Sequence, residues 1–152
     1  MSTSIFAEWA SRYGGYVITV DNWSPHLEVC AGCIEPWKDK VRLVLSDSVQ
    51  FLKEYTGEID LIYLDSLDYP LLPEGAEPNP EYLEAVDISQ THNLKEFKAV
   101  EDRLSDYCIV LLDDSQLERG GKPKLLKRYL LDKGWTLLFD FQQCLFVKKL
   151  RG

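Results

Sequence analysis

Three aspartates follow two apolar runs of the chain, and their positions point to one kind of chemistry. Asp65 comes directly after the run at residues 59–64, and Asp113 and Asp114 come directly after the run at residues 108–112. Apolar runs without strict alternation are typical of strands buried on both faces of a parallel sheet. In such a sheet the ligand crevice lies beyond the carboxyl ends of the strands. Converging carboxylates repel each other unless a cation joins them, so we expect the three aspartates to share a divalent metal ion.

The order of elements predicts how these aspartates are positioned. The last two predicted strands are too close in sequence for a parallel crossover, so they should pair antiparallel. Lys122 and the Gly120-Gly121 turn are interpreted as an ordinary loop that leads into a helix. The pattern predicts an α/β fold: a three-layer, doubly wound (Rossmann-like), mostly parallel sheet that ends in an antiparallel hairpin. Helices are predicted at residues 5–13, 24–34, 48–55, 91–104 and 123–131, and strands at 16–20, 41–45, 59–64, 108–112, 135–139 and 144–147.

Length and composition predict an ordinary globular protein. A chain of 152 residues with 45% hydrophobic and 28% charged residues suits one domain over residues 1–152. The formal net charge of −8 argues against a nucleic-acid partner. The apolar stretches are far shorter than the roughly 20 residues that span a bilayer, and the first residues lack the basic start and apolar core of a secretory signal. We therefore expect a cytoplasmic protein with no membrane partner.

A long segment at residues 66–90 follows Asp65 and is rich in proline and acidic residues. Loops of this length in a compact domain are most often lids or binding loops. We expect a lid or substrate loop, and the alternative is a disordered insertion. His92, at the predicted start of the helix just after this segment, is a candidate general base, because imidazole exchanges protons near neutral pH. Asp68, within the segment, is another possible base or an extra metal ligand. The alternative for His92 is a surface or capping residue.

The first two predicted strands also end in polar residues. Asp21 follows the first strand, where an acid can accept hydrogen bonds from both ribose hydroxyls of a nucleoside cofactor. Asp47 and Ser48 follow the second strand, where a polar side chain can reach an adenine edge. In each case the structural alternative is a cap for the following helix.

These segments together resemble class I S-adenosylmethionine-dependent methyltransferases, nearest to the small metal-dependent O-methyltransferases. That group includes the catechol O-methyltransferase type and the macrolide-sugar and cephalosporin-hydroxylase-like enzymes. The resemblance implies that Asp21 binds the ribose of S-adenosylmethionine, that Asp47 and Ser48 lie in the adenine region, and that Asp65 borders the cofactor. It also implies that Asp65, Asp113 and Asp114 hold Mg²⁺ or a similar divalent cation. The matching segments are residues 17–21, 46–52, 60–65, 92–96 and 111–114 and the final hairpin.

The implied activity is metal-assisted O-methyl transfer to the hydroxyl of a small-molecule acceptor. The cation would lower the pKa of the acceptor hydroxyl, and the methyl group would pass in line from the sulfonium. Two alternatives stay open. One is a degenerate methyltransferase-fold protein that serves in binding or assembly without catalysis. The other is a hydrolase with a metal-bound water, although the histidine-rich ligand set of hydrolytic zinc is not visible.

The sequence departs from the family pattern at its start and after Asp65. The family's first strand and its glycine-rich turn, E-x-G-x-G-x-S-T, are not visible, because residues 1–6 already match the tail of that turn. The strand would lie between those ending at Asp21 and Asp65, so two open sheet edges are expected. Three hypotheses follow: a fragment with a misplaced start, direct pairing of the flanking strands, or cover by another chain such as a second copy. The family's lysine base is also not visible, since Asp68 lies three residues beyond Asp65.

Overall fold

The computed structural model describes residues 2–148, and the chain divides into two compact units. Unit 1 comprises residues 1–51 and unit 2 residues 52–152. The expectation of one domain over residues 1–152 stays a prediction beside this division. None of the helices in the described part of the chain is long and apolar enough to cross a membrane.

Unit 1 is built around a two-stranded parallel sheet. Strands β1 and β2 pair from Val17 opposite Val41 to Asp21 opposite Leu45, so both end at the same edge. The first helix ends before Gly14, whose φ of 83° is in the left-handed region that favours glycine. The elements are α1 (Ser2–Tyr13), β1 (Val17–Asp21), α2 (Ser24–Cys33), a 3₁₀ segment (Glu35–Lys40), β2 (Val41–Leu45) and α3 (Ser48–Glu54), which crosses into unit 2.

Unit 2 contains a four-stranded sheet in the order β3-β4-β6-β5. Strands β3 and β4 are parallel, whereas β4 with β6 and β6 with β5 are antiparallel. The predicted mixed α/β fold, with parallel strands followed by an antiparallel hairpin, is confirmed. The elements are β3 (Ile59–Leu64), α4 (Pro80–Val100), β4 (Leu104–Leu112), α5 (Lys124–Asp132), β5 (Thr136–Asp140) and β6 (Cys144–Val147).

The core of unit 2 fixes where strands β3 and β4 end. Alternate residues of β4, namely Cys108, Val110 and Leu112, are fully buried and pack in one apolar cluster with side chains of α4, α5 and β6. Leu64 is also buried and lies opposite Leu112 in the parallel ladder. Because these are the last core residues of β3 and β4, the chain leaves the core with Asp65 and Asp113 at adjacent positions.

Helix α4 begins much earlier than the sequence pattern predicted. Its first residue is Pro80, not Thr91, and Asn79 caps it by accepting a hydrogen bond from the backbone N–H of Tyr82 at 2.8 Å. The irregular segment therefore ends at Asn79, and residues 80–90 are helical. His92 consequently lies inside α4 and not at a helix start. The lid role of the remaining segment stays a prediction.

The strands that should flank the family's first strand lie in separate sheets. β1 pairs with β2 and β3 pairs with β4, so each of them is an edge strand among the described residues. The hypothesis that these two strands pair directly would join the two units, and it stays a prediction. Cover of the open edges by a second copy of the chain stays a prediction.

Candidate functional site

The three aspartates singled out in the sequence lie together at the carboxyl edge of the sheet in unit 2. The backbone N–H of Asp113 donates to the carbonyl of Leu64 at 3.1 Å, which extends the β3–β4 ladder to the residue before Asp65. The next residue, Asp114, turns away with a φ of 54°, and its N–H donates to Oδ1 of Asp113 at 2.9 Å. The predicted convergence of Asp65, Asp113 and Asp114 is therefore present.

The positive charge among these aspartates comes from the chain itself. The Nζ atom of Lys122 lies 2.9 Å from Oδ1 of Asp65 and 3.0 Å from Oδ2 of Asp114. Lys122 is only 3% exposed, so the ammonium is almost fully enclosed. The interpretation of Lys122 as part of an ordinary loop is therefore wrong. Sequence spacing gave no signal for its position beside Asp65, because that contact spans more than fifty residues of chain.

Tyr63 joins the remaining aspartate to the group. Its hydroxyl donates to Oδ2 of Asp113 and lies 3.3 Å from Oδ2 of Asp65. The hydroxyl also accepts a hydrogen bond from the side-chain amide of Gln143 at 3.3 Å, in the turn between β5 and β6. We call Tyr63, Asp65, Asp113, Asp114 and Lys122 the carboxylate cluster. Tyr63 was missed because it stands inside an apolar run, where an aromatic residue is usually core.

Burial and mutual contacts shift the pKa values of Asp65, Lys122 and Tyr63. Burial raises the pKa of Asp65, and the nearby Lys122 ammonium only partly opposes this. Burial would lower the pKa of Lys122, but hydrogen bonds and attraction from Asp65 and Asp114 outweigh it, so its pKa is raised. Burial and the neighbouring carboxylates Asp113 and Asp65 raise the pKa of Tyr63 far above its usual value. Lys122 is therefore a cation and Tyr63 a neutral hydrogen-bond donor at neutral pH.

A cation of the chain itself already lies between two of the three aspartates. Lys122 binds oxygens of Asp65 and Asp114, and Tyr63 binds an oxygen of Asp113. Within residues 2–148, no group of three or more His, Cys, Asp and Glu side chains is arranged to hold a metal ion. A divalent cation therefore does not fit this arrangement, and the expectation of Mg²⁺ held by the three aspartates is not supported.

The two residues predicted as general bases lie outside these contacts. His92 is partly buried in α4, and its Nε2 lies 3.4 Å from Oε1 of Glu96, a side chain that is 2% exposed. Asp68 is exposed on the segment that follows β3. Neither residue is among the cluster's hydrogen-bond partners given above. Their catalytic roles stay predictions.

The segment between β3 and α4 is anchored at its beginning. Tyr69 is 7% exposed and packs with Tyr82 and Val86 in a small apolar cluster of its own. Its hydroxyl donates to the backbone carbonyl of Glu118, and burial raises the pKa of Tyr69 to about 12. The start of the predicted lid is thus tied to α4 and to the loop that precedes Lys122.

Unit 1 carries the residues predicted to hold a nucleoside. Asp21 ends β1; its Oδ1 accepts from the backbone N–H of Trp23 at 2.8 Å, and its Oδ2 lies 3.2 Å from Nδ1 of His26. These contacts fix a carboxylate that remains 31% exposed, which suits an acceptor for ribose hydroxyls. Asp47 caps α3, since its Oδ1 accepts from the backbone N–H of Gln50 at 2.8 Å. Ser48 is the first residue of α3, and the cofactor roles of Asp47 and Ser48 stay predictions.

Comparison with known proteins finds solved structures of similar fold, all at low sequence identity. No protein-family model matches the sequence, and no curated protein matches it. SMU.1697c from Streptococcus mutans, assigned as a methyltransferase and solved with SAH, has a TM-score of 0.57 at 14% identity, covering 88% of this chain and 76% of that one. A protein assigned as an rRNA methylase from Clostridium thermocellum has a TM-score of 0.57 at 13% identity, covering 90% and 76%. NSun6 from Pyrococcus horikoshii, solved with SFG, has a TM-score of 0.58 at 13% identity, covering 91% and 42%.

The chain therefore has the fold of class I S-adenosylmethionine-dependent methyltransferases. The resemblance stated from the sequence is confirmed at the level of the fold. At identities of 12–14% the likeness of solved structures concerns the fold alone.

Proposed function

We propose that this chain is an S-adenosylmethionine-dependent methyltransferase that acts on a hydroxyl of a small molecule. The observation that carries the proposal is the carboxylate cluster at the ends of β3 and β4, where open α/β folds bind their ligands. The fold of the SAH-bound Streptococcus mutans protein supports the choice of cofactor. Metal assistance is left out of the proposal, because the Lys122 ammonium lies between Asp65 and Asp114 and would repel a divalent cation there.

The residues at the strand ends of unit 1 would bind the cofactor. Asp21 is held by Trp23 and His26 and keeps an exposed face, so it would accept hydrogen bonds from the ribose. Asp47 would contact the adenine region while its other oxygen caps α3. When bound, S-adenosylmethionine supplies an electrophilic methyl group on a sulfonium.

The carboxylate cluster of unit 2 would bind the acceptor molecule. The carboxylates of Asp65 and Asp113 are only partly buried, so they can accept a hydrogen bond from an incoming hydroxyl. Tyr63 remains protonated, and its bond to Asp113 holds that carboxylate in one orientation. Fixed acceptors orient the hydroxyl oxygen for attack, which lowers the entropic part of the barrier. The carboxylate that accepts the hydrogen bond would receive the hydroxyl proton as the methyl group bonds to the oxygen and S-adenosylhomocysteine leaves. An acidic site within a chain of net charge −8 favours a neutral or cationic acceptor over a phosphorylated one.

The cofactor half of the proposal is tested by calorimetric titration with S-adenosylhomocysteine. We expect saturable binding by the natural chain and at least a tenfold loss of affinity in Asp21→Asn, because an amide replaces the charged acceptor of two hydroxyls. Asp39→Asn is the matched control, since it removes the same charge from an exposed position of unit 1. Absence of heat at millimolar ligand would reject the proposal.

The acceptor half is tested by transfer of labelled methyl groups. We expect labelling of small hydroxyl compounds and a large loss of rate in Asp113→Asn, with binding of S-adenosylhomocysteine unchanged. Labelling of ribosomal RNA in place of the small molecules would refute the proposed acceptor. Binding of S-adenosylhomocysteine without turnover on any acceptor would instead favour the degenerate binding protein.

A further inference from the structure

We propose that the ammonium of Lys122 is the resident cation of the carboxylate cluster and takes the place of a divalent metal ion. Lys122 is then a positioning residue that holds Asp65 and Asp114, and the cluster is complete without a metal. This inference concerns the cluster itself and does not depend on the proposed methyl transfer.

The contact geometry is that of a bridging cation. Nζ of Lys122 is 2.9 Å from Asp65, which follows β3, and 3.0 Å from Asp114, which follows β4. A lysine ammonium offers three donors, and two of them join carboxylates from different strand ends. The side chain of Lys122 is 4% exposed, whereas those of Asp65 and Asp114 are 44% and 36% exposed. The cation is therefore the enclosed partner and the anions form the accessible rim.

The backbone that carries Lys122 is built for this position. Gly121 has a φ of 66°, and a Cβ on it would lie 1.8 Å from the carbonyl oxygen of Asp114. Only glycine permits that approach, which brings the next residue against the cluster. Gln90 of α4 fixes the same turn from the other side, because its buried Nε2 donates to the carbonyl of Gly121 at 3.0 Å.

The position of the Lys122 ammonium explains why a metal ion is excluded. Three carboxylates gathered at one sheet edge need a compensating cation. A divalent ion bound by Asp65 and Asp114 would face the Lys122 ammonium at contact distance, or would force that ammonium out of its buried position. Both arrangements are unfavourable, because like charges repel and a buried ion loses its partners.

The proposal is tested by Mn²⁺ binding, followed by electron paramagnetic resonance on the full chain. We expect no saturable site in the natural chain up to about 1 mM Mn²⁺, the weak limit for carboxylate sites. In Lys122→Ala we expect one site at least tenfold tighter, which disappears when Asp114→Asn is added. Lys122→Arg keeps the charge and should gain no site. Lys124→Ala removes a neighbouring exposed lysine and should also gain none.

Two results would overturn the proposal. One is saturable Mn²⁺ binding by the natural chain that Asp114→Asn abolishes. The other is a Lys122→Ala chain with the natural circular dichroism spectrum and no new site. If Lys122→Ala does not fold, the natural chain and Asp114→Asn still decide the question. Titration with S-adenosylhomocysteine is independent of these outcomes, so failure of the proposed function would be seen separately.

Discussion

At the residue level, the aspartates of the cluster differ in the side chains that contact them. Lys122 compensates Asp65 and Asp114, while Tyr63 serves Asp113 as a neutral donor. Because two kinds of donor are used, the carboxylates differ in their surroundings although they lie side by side. The hydroxyl of an acceptor molecule would therefore lie near carboxylate oxygens beside the Lys122 ammonium and others beside the Tyr63 phenol. The different electrostatic surroundings of these oxygens can orient the hydroxyl.

Replacing Tyr63 tests this division of roles. In Tyr63→Phe the hydrogen bonds to Asp113 and from Gln143 are lost, and we expect about 1–2 kcal/mol lower free energy of unfolding. Methyl transfer should fall at least tenfold, while affinity for S-adenosylhomocysteine stays the same. Urea unfolding, rate measurements and calorimetry check these three values. Tyr107→Phe is the matched control, because Tyr107 is 78% exposed; equal losses of rate in both variants would contradict the role of Tyr63.

The positions of the three aspartates could be predicted from the sequence, whereas those of their partners Lys122 and Tyr63 could not. Asp65, Asp113 and Asp114 were predictable because the apolar runs before them mark where buried strands end. The position of Lys122 was not predictable, since its contact depends on a left-handed glycine, Gly121, that packs against the backbone of Asp114. Tyr63 was not, because its position in an apolar run indicates core and says nothing about a hydroxyl at the end of the ring.

At the level of elements, helix α4 shows which of two competing sequence patterns decides where a helix begins. Prolines and acids over residues 66–90 suggested a loop, whereas Asn79 followed by Pro80 is a helix start. The structure follows the second pattern because Tyr82, Val86 and Phe97 place one apolar face against the protein. The other helices and the strands could be predicted to within a few residues, since their apolar periods are uninterrupted.

Another set of contacts ties three elements of unit 2 together. Asp140 at the end of β5 binds both Ser115, which follows β4, and Lys127 of α5. Lys127 also donates to the Ser115 hydroxyl at 3.0 Å. The backbone N–H of Ser115 donates to the carbonyl of Gln142 at 2.8 Å. These bonds fix the hairpin turn that carries Gln143, which in turn contacts Tyr63.

The pH dependence of stability tests this connection. Burial alone would raise the pKa of Asp140, but Lys127 and Ser115 outweigh it, so the pKa is lowered. A lowered carboxylate pKa stabilises the folded state above the unfolded value of about 3.9, and this contribution is lost as the pH falls through the folded value. We expect Asp140→Asn to cost about 1 kcal/mol at pH 7 and nearly nothing at pH 2.

Urea unfolding at the two pH values measures that difference. Asp106→Asn is the control, because Asp106 is an exposed aspartate of β4 in the same unit. A cost for Asp140→Asn that is equal at pH 7 and pH 2 would show that the carboxylate charge does not contribute.

At the level of the whole molecule, the two units differ in the cores that support them. Within residues 2–148, the main apolar cluster of unit 2 contains thirteen buried residues, whereas that of unit 1 contains four. Small cores leave little free energy after the entropy of folding is met. The residues proposed for the nucleoside lie in unit 1 and those proposed for the acceptor lie in unit 2, so the proposed function needs both units.

This difference predicts which part of the chain folds by itself. A chain of residues 46–152 keeps the whole of α3 and the large cluster, so we expect cooperative urea unfolding followed by circular dichroism, whereas residues 1–51 alone should show no cooperative transition. In the longer fragment Val110→Ala should lower the free energy of unfolding by about 2–3 kcal/mol, because Val110 is fully buried. The exposed Val29 of unit 1 offers the matched Val→Ala control in the full chain, with a change below about 0.5 kcal/mol. If residues 46–152 show no cooperative transition, unit 2 depends on unit 1 for its stability. The expectation of one domain over residues 1–152 would then be the better description.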